Sequence, residues 1–306
     1  MTPALALTIG PIVVAWLAPP LLKRMAYGVA DPLAVLLAWA GAIVAVLFTF
    51  ITGVVLLLTP QTGPERWMEN LAHHCWLAVR QARLPGVDGL LGLLAALLVL
   101  VTAARVAALA VRRWRGQRRF RQAHQDLMIL LGGASHPGMD RVLRVPHTEP
   151  LAYCVGGRPG LVVLSSGIDQ LAPAQRAAVL AHERAHLRGR HHLIVATAEV
   201  LAAALPWVPL TRQAPDAARL LVELSADAEA VRACGCTAVR GALIALTGAP
   251  HPALALPMAG AQVTTRLRRL GAAAPRRQVS ARVLLPLIAL AAPVGVSVAA
   301  VVVLCA

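Results

Sequence analysis

Four apolar stretches, each at or near the length needed to cross a bilayer, set the first limit on how this chain can fold. They cover residues 4–22, 33–58, 89–104 (continuing to 111 past Arg105) and 283–305. About 20 apolar residues span a hydrocarbon core as a helix, because backbone polar groups in lipid must be satisfied within the segment. The whole chain leans the same way. It is 58% apolar and 14% charged, with a mean hydropathy of +0.67, outside the range of soluble globular domains. The first stretch has neither a basic leader nor a small-residue cleavage site, so it reads as an anchor rather than a removed signal. The expectation is a mainly α, polytopic membrane protein in contact with the lipid bilayer.

The formal net charge is +15, carried almost entirely by arginine. A basic chain invites a nucleic-acid reading. Aromatic residues make up only 4% and no basic face is interleaved with them, so no direct nucleic-acid partner is expected. The arginines instead flank the apolar stretches, where the positive-inside rule applies. Lys23 and Arg24 follow the first stretch, Arg112, Arg113, Arg115, Arg118, Arg119 and Arg121 follow the third, and Arg276, Arg277 and Arg282 precede the last. The loop 59–88 balances its charges. This pattern predicts three transmembrane helices in 1–111 with an outside loop at 59–88, a cytoplasm-facing domain at 112–282, and a C-terminal transmembrane helix at 283–306. The arginine bias and Ala/Gly/Pro richness suggest a bacterial origin, hence a bacterial cell membrane.

A weaker apolar stretch, 193–210, contains Glu199, Pro206 and Pro209. A full crossing there would carry the arginines from Arg212 to Arg282 to the wrong side. Two readings stay open: a segment that dips into the membrane interface and returns, or a core helix broken at Leu205-Pro206-Trp207.

The chemistry lies just before it, in "VLAHERAHLRGRHH" at 179–192. On a helix, His182 and His186 share one face one turn apart, so both imidazoles can reach one Zn²⁺. Glu183 follows the first ligand and can serve as general base toward water, the logic of the His-Glu-x-x-His zinc peptidases. A β-hairpin at 151–166, turning over Gly156–Gly160, precedes this helix, which starts near Pro173. The domain is therefore read as an α+β, zincin-like metallopeptidase domain with Glu183 as catalytic residue.

Catalytic zinc takes three protein ligands. His192 is one candidate for the third, because His-Glu-x-x-His-x-x-Gly-x-x-His fits a metzincin spacing. That class also needs a methionine turn, for which Met258 is the only downstream residue, without the expected neighbours. Glu223 is the other candidate. "LVELSADAEAV" places Glu223 and Asp227 four apart on one helical face, where Glu223 can ligate and Asp227 can accept a ligand histidine's N–H. The reading favours Glu223, with His192 as alternative third ligand.

With these residues in view, "AVLAHERAHLRGRHHL" and "ELSADAEAV" resemble the BlaR/MecR-type membrane zinc peptidases. More distantly they are similar to HtpX-like membrane proteases and the CAAX prenyl protease. "YCVGGRPGLVVLSSG" and "RLRRL" also resemble the first family, and the likeness covers roughly 140–270. These are gluzincins, with HExxH plus a glutamate in ExxxD. The resemblance implies that His182, His186 and Glu223 bind zinc, that Glu183 catalyses and that Asp227 supports the site. It also implies cleavage of a protein or peptide substrate, a transcriptional repressor or a membrane protein under quality control, with a separate sensor protein as a further partner. Two departures stand out. The β-lactam sensors of that family carry a penicillin-binding domain needing Ser-x-x-Lys, and Lys23 is the only lysine, so this chain is not expected to be the receptor. Position 191 is His where an acid is expected. The alternative function is a non-proteolytic zinc-binding membrane sensor or scaffold; a transporter is disfavoured because the charged motifs lie outside the spans.

Five scattered cysteines give no disulfide framework. Cys234-Gly235-Cys236 reads as a helix end capped by glycine. His73-His74-Cys75, between Trp67 and Trp76, reads as an interfacial amphipathic segment. Tyr153 and His147, either of which could help bind substrate or stabilise the oxyanion, are read as structural, and Arg105 as snorkelling to the inside. The hairpin offers an edge on which an extended peptide could align, without indicating which strand is free.

Overall fold

A computed structural model of the protein describes residues 2–28, 30–58, 87–130, 141–157, 160–247, 256–257, 263–271 and 279–305. His73-His74-Cys75, Met258, Arg276 and Arg277 lie outside the described residues. Among the described residues, four helices are long and apolar enough to cross a membrane: Ala6–Tyr27, Pro32–Leu56, Leu93–His124 and Ala281–Ala299. They belong to α1 (Thr2–Tyr27), α2 (Pro32–Leu58), α3 (Val87–Leu130) and α10 (Val279–Cys305). Helices α1, α2 and α10 pack against one another. Asp31 starts α2: its Oδ1 accepts the Leu33 N–H at 3.0 Å, a short polar side chain capping the helix start. Its Oδ2 accepts from Arg282 Nε at 2.8 Å, which ties the start of α10 to the same end of the bundle.

The third apolar stretch and the arginine-rich segment after it form one unbroken helix, α3, of 44 residues. Leu, Ala and Arg dominate it and no proline interrupts it, so propensity favours continuation. At 1.5 Å per residue it is about 66 Å long, roughly twice a hydrocarbon core. Its far half therefore stands clear of any bilayer that its first half crosses. There Phe120 packs beneath a small sheet, and His124 Nε2 lies 3.0 Å from the Tyr153 hydroxyl.

That sheet holds β1 (Arg141–Val145), β2 (Ala152–Val155), β3 (Leu161–Ser165) and β4 (Leu256–Pro257) in the order β1-β3-β2-β4. β2 and β3 form the antiparallel hairpin, β1 runs parallel to β3 and β4 pairs with β2. The sequence gives no comparable sign of β1 or β4. One is five residues with arginines three apart and so lacks a period-two pattern, and the other is two residues ending in proline. A short 3₁₀ turn, Ser166–Gln170, leads from β3 into α4 (Pro173–Arg188). Then come α5 (His191–Ala204), α6 (Pro209–Arg212), α7 (Ala214–Cys234), α8 (Cys236–Ala245) and α9 (Val263–Gly271). Gly235, at φ +83°, makes the break between α7 and α8.

Residues 193–210 do not continue as one rod. Helix α5 stops at Ala204, the chain turns over Leu205–Val208, and α7 returns alongside α5. Thr211 Oγ1 closes the turn by donating to the carbonyls of Leu205 (2.8 Å) and Val208 (3.0 Å). The tip is wedged against the spans. Trp39 Nε1 of α2 donates to the Leu210 carbonyl at 3.1 Å. Arg105 of α3 donates to the Ala203 carbonyl at 2.9 Å, so its guanidinium meets the negative end of α5 rather than reaching away along the span. Arg105 lies about 10 Å up the helix from Arg112, and Trp39 a similar distance past Asp31. The tip thus sits about two helical turns inside the arginine-bearing end of the spans. Lower down, Glu199 of α5 pairs with Arg113 of α3 and Arg219 of α7.

Val35, Trp39 and Ala42 of α2 share one apolar core with Leu210, Leu220, Leu221 and Leu224. The helix carrying Glu223 is therefore seated directly on the span bundle. Trp39→Phe should cost about 1 kcal/mol by removing its indole hydrogen bond, read as a lower melting temperature of the full chain in detergent micelles. An unchanged transition would show that the tip is not anchored there.

Candidate metal centre

Helix α4 owes its place to its ends and its inner face. Pro173 opens it, and the Gln175 side chain accepts the Ala172 N–H at 3.1 Å. Ala178, Val179 and Ala185 are buried on the side that also carries His182, Glu183 and His186. Small residues beside the histidines let α7 approach closely, and α4 and α7 are the most extensively packed helix pair outside the spans. Helix α7 presents Glu223 and Asp227, both buried, to that face.

The result is a convergence of ligand atoms. His182 Nε2 and His186 Nε2 are 3.0 Å apart. Glu223 Oε2 lies 3.5 Å from His182 Nε2 and its Oε1 3.3 Å from His186 Nε2. Tetrahedral zinc with bonds of about 2.1 Å places its ligand atoms about 3.4 Å apart, so these separations suit a single divalent ion. The tautomers agree. His182 Nδ1 faces Asp227 Oδ1 at 3.1 Å and His186 Nδ1 faces His191 Nδ1 at 2.8 Å. With hydrogens on these Nδ1 atoms, both Nε2 lone pairs would face the same point, an arrangement that suits a cation. Among the described residues, His182, His186 and Glu223 form a group that could hold a metal ion, with ligand atoms within 4.8 Å of one another.

Glu183 is wholly buried, and among the described residues neither carboxylate oxygen meets a hydrogen-bond donor in normal geometry. Its polar neighbour is the Cys154 thiol of β2, itself pushed well above the usual range by burial and by Glu183. Burial drives the Glu183 carboxyl up to about 8, against the pull of His182. Burial lowers His182, but Asp227 and Glu223 outweigh it and set that imidazole at about 9. For His186 burial prevails and the pKa falls. Burial also raises Glu223 and Asp227, yet the Arg266 guanidinium beside both holds Asp227 below, and Glu223 well below, the ordinary carboxylate range.

Arg266 is the residue that sequence reasoning missed. It is fully buried in α9, with Nη1 2.7 Å from Glu223 Oε2. Its Nε and Nη2 donate to Asp227 at 2.8 and 2.7 Å, a fork that matches a carboxylate edge to edge. The three arginines of "RLRRL" look alike in sequence, and nothing local says which one turns inward. Arg269, one turn on, instead donates to the carbonyls of Ala26, Gly28 and Ala30 at the end of α1.

His192 does not reach the centre. Its ring lies flat against Gly156 of the hairpin, where an added Cβ would come within 2.2 Å of it. The metzincin spacing is thus not matched by the geometry, and the neighbouring His191 is the histidine that turns inward. His147 and Tyr153 lie apart from the ligand cluster. The first is held in an exposed turn with Ser166 and Glu149, and the second bonds His124.

Comparison with family models gives a match to peptidase family M48 over residues 115–222. The match supports a metallopeptidase. It takes in His182, Glu183 and His186 and stops one residue short of Glu223, so Glu223 and Asp227 stand on geometry. No curated protein and no solved structure matches the chain.

Removing the arginine should expose how the centre is balanced. Arg266→Met leaves two buried carboxylates without their counter-charge, and breaking a buried pair in this way costs about 3–5 kcal/mol. The expected outcome is a markedly lower melting temperature and reduced zinc content by elemental analysis, with Arg266→Lys intermediate. A methionine variant as stable and as zinc-rich as the parent would refute this balance.

Proposed function

We propose that the chain is an integral-membrane zinc endopeptidase that hydrolyses protein substrates at the membrane surface. The observation that carries this reading is the meeting of His182, His186 and Glu223 from two helices, with Glu183 beside them on the same helix face. His182, His186 and Glu223 would hold zinc, with Asp227 behind His182. Bound there, zinc supplies Lewis acidity that polarises the scissile carbonyl and acidifies water. The protein's own residues then do the proton work. Glu183 accepts a proton from the attacking water as its oxygen bonds to the carbonyl carbon. It returns that proton to the amide nitrogen as the C–N bond breaks, leaving a carboxylic acid and an amine, which then ionise to carboxylate and ammonium.

The positive-inside pattern supports a cytoplasm-facing centre in a bacterial cell membrane, with domains at 1–111, 112–282 and 283–306. The α5–α7 tip, seated about two turns inside the arginine-bearing end of the spans and exposing Trp207, supports a segment that enters the interface. The substrate would then be a polypeptide presented at that surface. The likeness to BlaR/MecR-type and HtpX-like peptidases suggests a transcriptional repressor or a membrane protein under quality control, with a separate sensor protein as regulator.

Glu183→Gln should retain zinc and lose cleavage. Comparing newly formed protein termini in cells carrying the parent or this variant identifies the substrate; termini that persist unchanged with the variant would exclude Glu183 as the base. Zinc content should fall in Glu223→Ala and stay at the parental level in His192→Ala.

A further inference from the structure

Helices α4 and α5 are joined by two residues, and their conformations decide which histidine faces the centre. Gly189 is still helical (φ −75°, ψ −5°), and Arg190 is left-handed (φ 49°, ψ 39°). Together they fold the chain back so that the first residue of α5, His191, lies over Gly189 and against His186. The two rings stand nearly perpendicular, at 88°, with centroids 4.8 Å apart, and His191 is only 6% exposed. The fit leaves no room for a side chain at 189: a Cβ there would lie 2.3 Å from His191 Nε2. Because Gly189 has ordinary helical dihedrals, its lack of a side chain serves space, not backbone freedom.

The two Nδ1 atoms, 2.8 Å apart, share one hydrogen. If it sits on His186, that ring offers its Nε2 lone pair to the centre. If it sits on His191, His186 Nε2 carries a hydrogen and cannot ligate. A partner at 191 that accepts this hydrogen therefore favours His186 as a ligand. Ligating histidines commonly donate their other N–H to such a partner, which fixes ring and tautomer.

We infer that His191 is a positioning residue: its Nδ1 accepts the His186 Nδ1 hydrogen and holds His186 Nε2 toward the metal, as Asp227 does for His182. A neutral imidazole in this place adds an acceptor without adding charge. A divalent ion and Arg266 then balance the carboxylates of Glu183, Glu223 and Asp227, whereas an acid at 191 would leave a buried negative charge in excess. The inference rests on the metal-centre reading above.

The test uses the full chain in detergent micelles, stripped of metal and titrated with Co²⁺, read by its visible absorption, and with Zn²⁺ against a chromogenic chelator. His186→Ala and Glu223→Ala come first: parental binding in both overturns the metal centre itself, and with it this inference. With the centre established, His191→Ala should weaken Zn²⁺ binding about 10–100-fold and change the Co²⁺ spectrum. His191→Asn, whose amide oxygen can accept in the place of Nδ1, should recover most of both. Gly189→Ala should weaken binding in the parent, because its Cβ displaces the His191 ring, and have no further effect in the His191→Ala background. If His191→Ala does not fold, the Asn and Gly189→Ala variants carry the same comparison. Parental affinity and spectrum in His191→Ala, or an equal Gly189→Ala effect in both backgrounds, would overturn the assignment.

Discussion

Six ionisable side chains are packed out of water around one point between α4 and α7, and the need to balance their charge shapes everything near it. A buried carboxylate without a partner is costly, and this chain places three of them there: Glu183, Glu223 and Asp227. Arg266 compensates two by direct contact, which is why a nine-residue helix far along the chain closes the centre. Glu183 has no such partner, and its raised carboxyl reflects that. A dication among the two imidazoles and Glu223 would complete the balance. The arrangement is therefore not three candidate ligands placed on a neutral scaffold; the residues around them are as constrained as they are.

How much of this can be read from the sequence depends on whether the decisive signal is local. His182, Glu183 and His186 are a local signal, since helical periodicity alone places them together. Glu223 and Asp227 are nearly as legible, because an acidic pair four apart on an Ala/Leu/Val helix has little other purpose. Arg266 is not legible, since only the tertiary fold distinguishes it from Arg268 and Arg269. The choice between His191 and His192 was likewise hidden. Spacing favours His192, but the left-handed Arg190 rotates the start of α5 by one residue and sends His192 to the hairpin. For the fold, the long apolar runs were plain. The continuity of α3 across its basic half was not, because its polarity changes without any break in helix propensity. Strands β1 and β4 were missed because each is too short to show a pattern of its own.

Much of the contact between the spans and the helices that carry the candidate ligands is apolar. Leu220, Leu221 and Leu224 flank Glu223 on α7 and insert among Val35, Trp39 and Ala42. Arg269 adds a second tie, from α9 to the end of α1. Since α9 also carries Arg266, one short helix touches both the first span and the charge balance of the centre. The tilt of α7, and hence the position of Glu223, is fixed by the same contacts that hold the bundle together.

The length of α3 has a mechanical corollary. A helix of 44 residues without a proline has no joint between its lipid-facing leucines and Phe120, which supports the sheet beneath Tyr153. Tilt imposed on the first half by hydrophobic mismatch is delivered to the second half as a lateral sweep, larger the further from the pivot. β2 lies at the far end of that lever, and Cys154, the residue after Tyr153, borders Glu183. In a bilayer, its thickness would in this way be geometrically connected to the residues around Glu183.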